Sequence, residues 1–140
     1  MRYLGVDYGA KRIGLAVCDE LEISAGPLAQ IEGSGARNLV ADALAVAKVA
    51  QEYAVAEYVV GLPYNMDGSV GSQGQLCQEF ARTLAQATGK KVHLFDERLS
   101  SEAAEAKLLK AGLTKKKRLA RTDMLAAAII LQSFLDAKKA

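Results

Sequence analysis

Cysteine and histidine are scarce in this sequence of 140 residues, which contains two cysteines and one histidine. Cys18 and Cys77 are 59 positions apart and form no C-x-x-C pair, so zinc ligation and a redox-active disulfide are both disfavoured. We therefore expect two free, buried thiols in a protein of a reducing compartment. The single histidine, His93, lies in a predicted apolar strand, and we expect it to have a structural role.

Long apolar runs are also missing, since no stretch reaches the ~18–20 residues that a membrane-spanning helix needs. An N-terminal signal pattern is missing as well, because the first apolar segment breaks at Asp7. Net charge is only +2, with 18 Lys and Arg against 16 Asp and Glu, so no global field indicates a nucleic-acid partner. We expect a cytoplasmic protein without membrane contact, in which nucleic-acid binding depends on local basic patches.

The overall composition is that of an ordinary globular protein. Hydrophobic residues make up 51% of the chain and charged residues 24%, which argues against disorder. The length suits one domain with a substantial core, and neither repeats nor linkers interrupt it. We therefore predict a single domain over residues 1–140.

The hydrophobic pattern switches between strand and helix periods, in the order β-β-β-α-β-α-β-α-α. The strands are predicted at residues 3–7, 13–18, 29–31, 57–62 and 91–95. The helices are predicted at about 36–53, 76–89, 100–112 and 122–137. Because helical crossovers return the chain in the same direction, strands separated by helices are expected to be parallel. The fold class is therefore α/β, a mixed five-stranded sheet with an antiparallel three-strand meander, then parallel strands, flanked by helices.

Three acidic residues stand next to the ends of predicted elements. Asp7 ends the first strand, Glu97 follows the last strand, and Asp123 opens the final helix. If the first and last strands are parallel, their carboxyl ends meet at the edge where open α/β sheets bind ligands. Clustered carboxylates repel one another unless a cation lies between them, and hard oxygen ligands favour Mg²⁺ or Mn²⁺. Two such ions at ~3.5–4 Å separation would activate water and stabilise the leaving oxygen in phosphodiester hydrolysis.

Each acid also has a plainer explanation. A single aspartate at a strand end is more often a turn residue, and Asp123 is favourable at a helix N-terminus because of the helix dipole. Lys11 and Arg12, in the glycine hairpin after Asp7, favour a functional site over these plainer explanations. Basic groups beside buried acids indicate an anionic ligand, and a phosphate held by a metal fits both.

Other polar residues extend the candidate substrate site. Asn65, in a loop over residues 64–71, is a candidate contact, and its alternative is a plain glycine-rich connection. Arg98 either contacts phosphate or pairs with a neighbouring acid. A basic run consists of Lys115, Lys116, Lys117, Arg118 and Arg121. It either follows a nucleic-acid backbone or is a solvated loop, since no aromatic side chains interleave with it to stack on bases.

Four segments, taken together, resemble the YqgF/RuvX family. They are LGVDYG at 4–9 with RIGLA at 12–16, VGLP at 60–63 with MDGS at 66–69, DERLS at 96–100, and DMLAA at 123–127 with ILQ at 130–132. The match spans nearly the whole chain in the order of the family's motifs, and Cys18 stands where many members have Ser. The resemblance implies an RNase H-like fold, related to the Holliday-junction resolvase RuvC. It also implies a metal-dependent nuclease linked to maturing the 5′ end of 16S ribosomal RNA precursors.

The resemblance assigns roles by matching position. Asp7, Glu97 and Asp123 would be the acidic catalytic residues and the metal ligands. RuvC-type enzymes use four acidic residues, and Asp96 and Asp67 are the candidates for the fourth. The implied partners are precursor 16S rRNA or branched DNA, and ribosomal particles. A junction resolvase is expected to act as a symmetric dimer, and the choice between monomer and homodimer stays open.

Three functions compete at this point. The first is a Mg²⁺- or Mn²⁺-dependent endonuclease, acting on precursor rRNA or as a resolvase on branched DNA, in which Lys11, Arg12 and Arg98 hold the scissile strand. The second is a kinase or ATPase, because Asp-x-Gly before a glycine hairpin also resembles the phosphate loop of actin-like proteins. Those proteins enclose nucleotide between two such domains, and 140 residues supply one. The third is a nucleic-acid or ribosome-binding factor that keeps the fold and barely cleaves.

Overall fold

The computed structural model describes residues 1–100, 102–110 and 122–139, apart from the side chains of Leu109, Thr122 and Asp123. Its strands are β1 (Tyr3–Tyr8), β2 (Arg12–Cys18), β3 (Ala25–Glu32), β4 (Glu57–Leu62) and β5 (Val92–Asp96). Its helices are α1 (Leu39–Glu52), α2 (Ser72–Thr88), α3 (Glu102–Lys110) and α4 (Thr122–Lys139), and a 3₁₀ turn covers Glu97–Leu99. None of these described helices has the length and apolarity to cross a membrane.

The five strands form one mixed sheet in the order β3-β2-β1-β4-β5. β2 pairs antiparallel with both β1 and β3, whereas β4 pairs parallel with both β1 and β5. The predicted α/β fold, with an antiparallel meander followed by parallel strands, is therefore confirmed. Because β1, β4 and β5 run in the same direction, their carboxyl ends share one edge. We call this edge, marked by Asp7, Leu62 and Asp96, the carboxyl edge.

Helices cover both faces of the sheet, because alternate side chains of a strand point to opposite faces. Leu4, Val6 and Tyr8 of β1 face a core layer shared with α1 and α2. Tyr3 faces the other layer, which is shared with α4. Helix α3 packs against α4 on that side.

Helix α4 crosses the sheet at very short distance from Gly5. A Cβ atom at Gly5 would lie 2.8 Å from Cβ of Leu131 and 2.9 Å from the carbonyl oxygen of Ala127, so glycine permits this approach. At the amino end of β1, the rings of Tyr3 and Phe134 are 5.2 Å apart. The helix therefore runs from the carboxyl edge toward the opposite edge of the sheet.

Strand β3 is longer than the predicted 29–31 and covers Ala25–Glu32. Pro27 lies inside it, opposite Ala16 and beside a shift in register. An edge strand tolerates proline because one row of its N–H groups needs no partner strand. Gln132 of α4 fixes the start of β3, since its Oε1 accepts a 2.9 Å hydrogen bond from the Ala25 N–H.

Helix ends follow local backbone signals. Helix α1 begins at Leu39 and not at the predicted residue 36, because Ala36 has a left-handed φ of 64°. The Asn38 side chain caps α1 by accepting a 3.0 Å hydrogen bond from the Ala41 N–H. Gly89 ends α2 with a φ of 69°, as predicted. Residues 101 and 111–121, part of the predicted third helix among them, lie outside the described residues.

The scarce residue types have structural roles. Cys18 and Cys77 are free and buried, which confirms that prediction. Nε2 of His93 lies 2.7 Å from Oε1 of Glu57, and its ring centroid lies 5.0 Å from that of Phe134. His93 therefore joins β5 to β4 and α4, as a structural histidine does.

Candidate active site

Asp7 and Glu97 come together at the carboxyl edge. Asp7 is the penultimate residue of β1 and lies on the face of Gly5, toward α4. Glu97 follows β5 directly and begins the 3₁₀ turn. The paired residues of β1 and β4 end at Val6 and Val60, so Asp7 lies next to Gly61 on the neighbouring strand.

Gly61 provides the space that Glu97 occupies. A Cβ atom at Gly61 would lie 3.2 Å from Cγ and 3.3 Å from Cδ of Glu97. The same atom would lie 2.5 Å from Cδ1 of Ile130 in α4. The Glu97 side chain therefore lies on the bare backbone of β4, next to Asp7.

The charges of these two acids influence their surroundings. Burial raises the pKa of Glu97, and the negative charges of Asp7 and then Asp96 raise it further. Burial also raises the pKa of the Cys77 thiol to about 12, with smaller contributions from Glu97 and Asp7. The two carboxylates are thus close enough to repel each other. A hard divalent cation between them would remove this repulsion, so the pair fits Mg²⁺ or Mn²⁺.

The third predicted acid, Asp123, lies in the first turn of α4. Ala127, one turn further along α4, approaches β1 at Gly5, and Asp7 is two residues beyond Gly5. Toward the carboxyl edge, four helical residues cover about 6 Å and two strand residues cover about 7 Å. The backbone of Asp123 is therefore roughly level with Asp7. Its side chain lies outside the described residues, so its role stays a prediction.

The two candidates for a fourth acid are bonded to other groups. Oδ2 of Asp96 accepts a 2.8 Å hydrogen bond from Nη2 of Arg98, and this pairing lowers the pKa of Asp96. Oδ1 of Asp67 accepts hydrogen bonds from the backbone N–H and the hydroxyl of Ser69, at 2.9 and 2.6 Å. Among the described side chains, no group of three His, Cys, Asp or Glu residues is placed to hold a metal ion.

Arg98 forms an ion pair with the neighbouring Asp96, which is one of its two predicted roles, and its contact with phosphate stays a prediction. Besides Asp96, it contacts Tyr64, whose ring centroid lies 4.8 Å from Cζ of Arg98. This cation–π contact joins the 3₁₀ turn to the loop between β4 and α2. The turn that carries Glu97 is therefore held from two sides, by Gly61 beneath it and by this loop beside it.

Asn65 shapes the same loop. Its N–H donates to the Ser69 carbonyl at 2.8 Å and its Nδ2 donates to the Ser69 hydroxyl at 2.9 Å. Its carbonyl accepts a 2.9 Å bond from the N–H of Gly68, which has a left-handed φ of 87°. These bonds close a tight turn that leaves Met66 96% exposed. Asn65 is a turn residue here, and its contact with substrate stays a prediction.

Lys11 and Arg12 lie on the other side of the carboxylates. Both are exposed, and both line a concavity of about 900 Å³ together with Arg37. Arg12 shares a sheet face with Gly14, which pairs with Asp7 across the β1–β2 hairpin. Arg37 was not among the predicted site residues, because it lies far along the chain from Arg12 and no local motif marks it.

The predicted basic run lies outside the described residues. It comprises Lys115, Lys116, Lys117, Arg118 and Arg121. Its contact with nucleic acid stays a prediction. The described part of the site therefore consists of two carboxylates, the glycine beneath one of them, and basic groups on both sides.

The chain is similar to proteins of one family over almost its whole length. Residues 1–137 match the family described as RuvX: Holliday junction resolvase. A relative from Anaeromyxobacter sp. (strain Fw109-5) is 45% identical over 140 residues, and the alignment covers 100% of this chain and 100% of the relative. A relative from Bacillus cytotoxicus is 41% identical over 138 residues, 99% of this chain and 100% of the relative. Both relatives are named provisionally as pre-16S rRNA nucleases.

Two solved structures share the fold across 99% of this chain. RuvC of T. thermophilus in complex with a Holliday junction substrate has a TM-score of 0.63 at 16% identity, with 96% of that chain covered. The Fowlpox virus resolvase in complex with Holliday junction DNA has a TM-score of 0.58 at 12% identity, with 99% covered. These likenesses concern the fold. Together with the family match and the relatives, they show that this chain belongs to the RuvX family and has its RNase H-like fold.

Proposed function

We propose that this protein is a divalent-metal-dependent endonuclease that hydrolyses phosphodiester bonds of precursor 16S ribosomal RNA in the cytoplasm. The observation that carries the proposal is the placement of Asp7 and Glu97 side by side at the carboxyl edge, with Gly61 beneath Glu97. Membership of the RuvX family and the names of the relatives support a nuclease activity. Ribosomal particles are the corresponding partners.

The metal ions belong to the acidic part of the site. Asp7, Glu97 and Asp123 would hold two Mg²⁺ or Mn²⁺ ions, since carboxylate oxygens are the ligands that these cations prefer. When bound, such ions supply an activated water and stabilise the charge on the leaving oxygen. The chain holds both acids in place, because Asp7 belongs to the central strand and Glu97, in the 3₁₀ turn, lies on the bare backbone of Gly61.

Basic and polar side chains would bind the nucleic acid on both sides of the carboxylates. Lys11 and Arg12 lie on the hairpin side, and Arg98 with Asn65 lies on the side of the β4–α2 loop. The basic run of Lys115, Lys116, Lys117, Arg118 and Arg121 would hold the flanking backbone. Each phosphate contact of this kind adds to the salt dependence of binding.

A cleavage assay tests this proposal directly. Precursor 16S rRNA and a four-way DNA junction are incubated with Mg²⁺ or Mn²⁺, and Asp7→Asn protein serves as the control for contaminating nucleases. We expect metal-dependent cutting of the rRNA precursor that Asp7→Asn abolishes while the variant stays folded by circular dichroism. Cutting by Asp7→Asn at the wild-type rate would contradict the assigned site.

Resolution of Holliday junctions is the second candidate function. The family description favours it, and so do the two junction-bound structures that share the fold. Preferential, symmetric cutting of the four-way junction in the same assay would support it. Tight binding of either nucleic acid with no cutting by wild-type protein would instead indicate a binding factor.

Within the sequence, the kinase and ATPase alternative rests on the glycine hairpin. The family match covers residues 1–137 and describes a resolvase. Actin-like kinases enclose nucleotide between two domains, and this chain supplies one sheet among its described residues. We expect no ATP binding, which isothermal titration calorimetry with Mg²⁺–ATP would check.

A further inference from the structure

A basic hollow lies beside the carboxyl edge, between the β1–β2 hairpin and the turn that follows β3. We call it the hairpin concavity, and its lining includes Ala10, Lys11, Arg12, Glu32, Ser34 and Arg37. Its volume is about 900 Å³, at the upper end of the range for small-molecule sites. A hollow of this size on the molecular surface suits a segment of an extended polymer.

The hairpin concavity concentrates positive charge. Among the lining residues, Lys11, Arg12 and Arg37 contribute three positive charges and Glu32 contributes one negative charge. The carboxylate of Asp42 lies buried beneath this lining. The three basic residues are exposed. A surface on which exposed positive charges outnumber exposed negative charges attracts a polyanion.

One wall of the concavity is fixed from beneath by a buried carboxylate. Asp42 of α1 is 3% exposed, and its Oδ1 accepts a 2.9 Å hydrogen bond from the N–H of Ser34. Its Oδ2 accepts hydrogen bonds from the Ser34 hydroxyl at 2.9 Å and the Tyr8 hydroxyl at 2.6 Å. Tyr8 follows Asp7 in β1. The wall is therefore tied to the strand that carries the predicted catalytic acid.

Backbone hydrogen bonds fix the same wall to the hairpin. The N–H of Gly33 donates to the carbonyl of Lys11, and the N–H of Gly35 donates to the carbonyl of Ala10, both at 2.8 Å. A Cβ atom at Gly33 would lie 2.4 Å from the Ala10 oxygen, so this close contact requires glycine. A surface held in this way loses little conformational entropy when a ligand binds.

The concavity begins close to the predicted catalytic acids. Gly14 pairs with Asp7, and Arg12 lies two residues before Gly14, at the start of β2. Two strand residues cover about 7 Å. A nucleic-acid strand whose reacting phosphate lies at Asp7 and Glu97 would therefore place neighbouring phosphates over the hairpin concavity.

We infer that the hairpin concavity binds the sugar–phosphate backbone next to the reacting phosphate, and that Arg37 is one of its binding residues. The inference rests on the proposed function for the identity of the strand that reacts. The phosphodiester backbone is common to RNA and DNA, so the test includes both.

Arg37→Gln tests the inference, with Arg82→Gln as the matched control. Arg82 is an exposed arginine of α2 that lies near β5, at the opposite edge of the sheet. Binding of a precursor rRNA fragment and of a four-way DNA junction is measured in EDTA at several salt concentrations. We expect Arg37→Gln to weaken binding of the preferred nucleic acid about fivefold or more. The slope of log K against log salt is expected to fall by about 0.7 to 0.9. Arg82→Gln is expected to leave both quantities unchanged.

Cleavage kinetics with Mg²⁺ separate this inference from the proposed function. We expect Arg37→Gln to raise KM more than it lowers kcat. Equal affinities and equal salt slopes for the two variants would overturn the inference, even where wild-type protein cleaves. Weak binding by Arg37→Gln alone, together with no cleavage by wild-type protein, would uphold the inference and overturn the nuclease proposal.

Discussion

Gly61 lies directly beneath Glu97, at a distance that leaves no room for a side chain on the strand. A Cβ atom at position 61 would lie 3.2 Å from Glu97 Cγ, closer than ordinary van der Waals contact. The same Cβ atom would lie 2.5 Å from Cδ1 of Ile130, a buried side chain of α4 that would also have to shift. The glycine therefore controls both the position of Glu97 and the packing of α4 on β4.

Gly61→Ala is expected to impair cleavage while the protein stays folded. Glu97 must move by a few tenths of an ångström, and misplacement of a catalytic group on that scale costs about tenfold or more in rate. Gly26→Ala is the control, because a Cβ at Gly26 in β3 meets no atom within 4 Å. Rates and thermal unfolding are measured for both variants. A wild-type kcat/KM in Gly61→Ala would show that Glu97 is not needed at this position.

Glu97 is expected to make stability depend on pH when no divalent ion is present. Its raised pKa means that the folded state favours the protonated carboxyl. That contribution to stability is complete below the ordinary glutamate value of 4.5 and is lost as pH rises through the folded-state pKa. In EDTA at neutral pH, Glu97→Gln is therefore expected to unfold at a higher temperature than wild-type protein. The difference is expected to vanish below about pH 4.5, and a constant difference across this range would contradict the assignment.

Mg²⁺ is expected to stabilise the wild-type protein against heat, because a ligand that binds only the folded state raises its stability. Glu97→Gln is expected to lose most of this response. Asp96→Asn is the matched control, since Asp96 is paired with Arg98 and is expected to keep the response. Differential scanning fluorimetry with and without Mg²⁺ measures all three proteins. An equal shift in the wild type and Glu97→Gln would remove Glu97 from the metal site.

Tyr8→Phe is expected to lower the free energy of unfolding by about 1–3 kcal/mol. The substitution leaves the buried Asp42 without one of its hydrogen-bond donors, and such a loss costs this amount. Phenylalanine keeps the ring stacked on Phe80, whose centroid is 4.1 Å away. Tyr58→Phe is the control, because burial alone raises the pKa of Tyr58. Urea unfolding measures both, and equal effects would mean that the Asp42 bond contributes nothing specific.

Tyr8 is also expected to make the stability of the protein depend on pH in alkaline solution. Burial and the hydrogen bond to Asp42 raise the pKa of Tyr8 above the ordinary value of 10.0. Its contribution to stability is therefore present below pH 10 and is lost as pH rises beyond that value. We expect the stability of Tyr8→Phe to fall less steeply above pH 10 than that of wild-type protein. Parallel curves from urea titrations across this range would contradict the assignment.

Gly5→Ala is expected to destabilise the protein and to impair cleavage together. The new Cβ would lie 2.9 Å from the backbone oxygen of Ala127, so helix α4 must shift. Overpacking of this kind typically costs about 1–3 kcal/mol. The shift would also move the first turn of α4, which contains Asp123. Unfolding and cleavage are measured against Gly26→Ala, and full stability in Gly5→Ala would show that the helix adapts without cost.

Much of the fold could be predicted because it depends on local pattern. The strand predicted at 57–62 coincides with β4. The end of α2 could be predicted because a helix often ends at a residue with left-handed backbone, and Gly89 adopts that conformation. The meeting of Asp7 and Glu97 could also be predicted. Helical crossovers make β1, β4 and β5 parallel, and parallel strands place their carboxyl ends at one edge.

Other features depend on close packing and on contacts between residues far apart in the chain, and a local sequence pattern predicts neither. In the sequence, Gly5 and Gly61 are only residues that weaken a strand. The packing shows that Gly5 allows helix α4 to approach β1 and that Gly61 leaves space for the Glu97 side chain. The sequence could not decide whether Arg98 pairs with a phosphate or with an acidic side chain, because a guanidinium binds both well. Arg37 lines the hairpin concavity because Gly33 and Gly35 bond the turn after β3 to the β1–β2 hairpin, and the sequence pattern does not show this contact.

Asp7 and Tyr8 are consecutive in β1, and their side chains leave the strand on opposite faces. Asp7 lies on the face of α4, whereas Tyr8 is joined to α1 through Asp42 and to α2 through Phe80. A displacement of the helices on either face of the sheet is therefore expected to move the Asp7 carboxylate, because only one peptide unit separates Asp7 from Tyr8. In a random genetic screen for inactive but soluble protein, changes in α1 and α2 are accordingly expected beside those at the acids. Helices that contribute no catalytic group would then be recovered as determinants of rate.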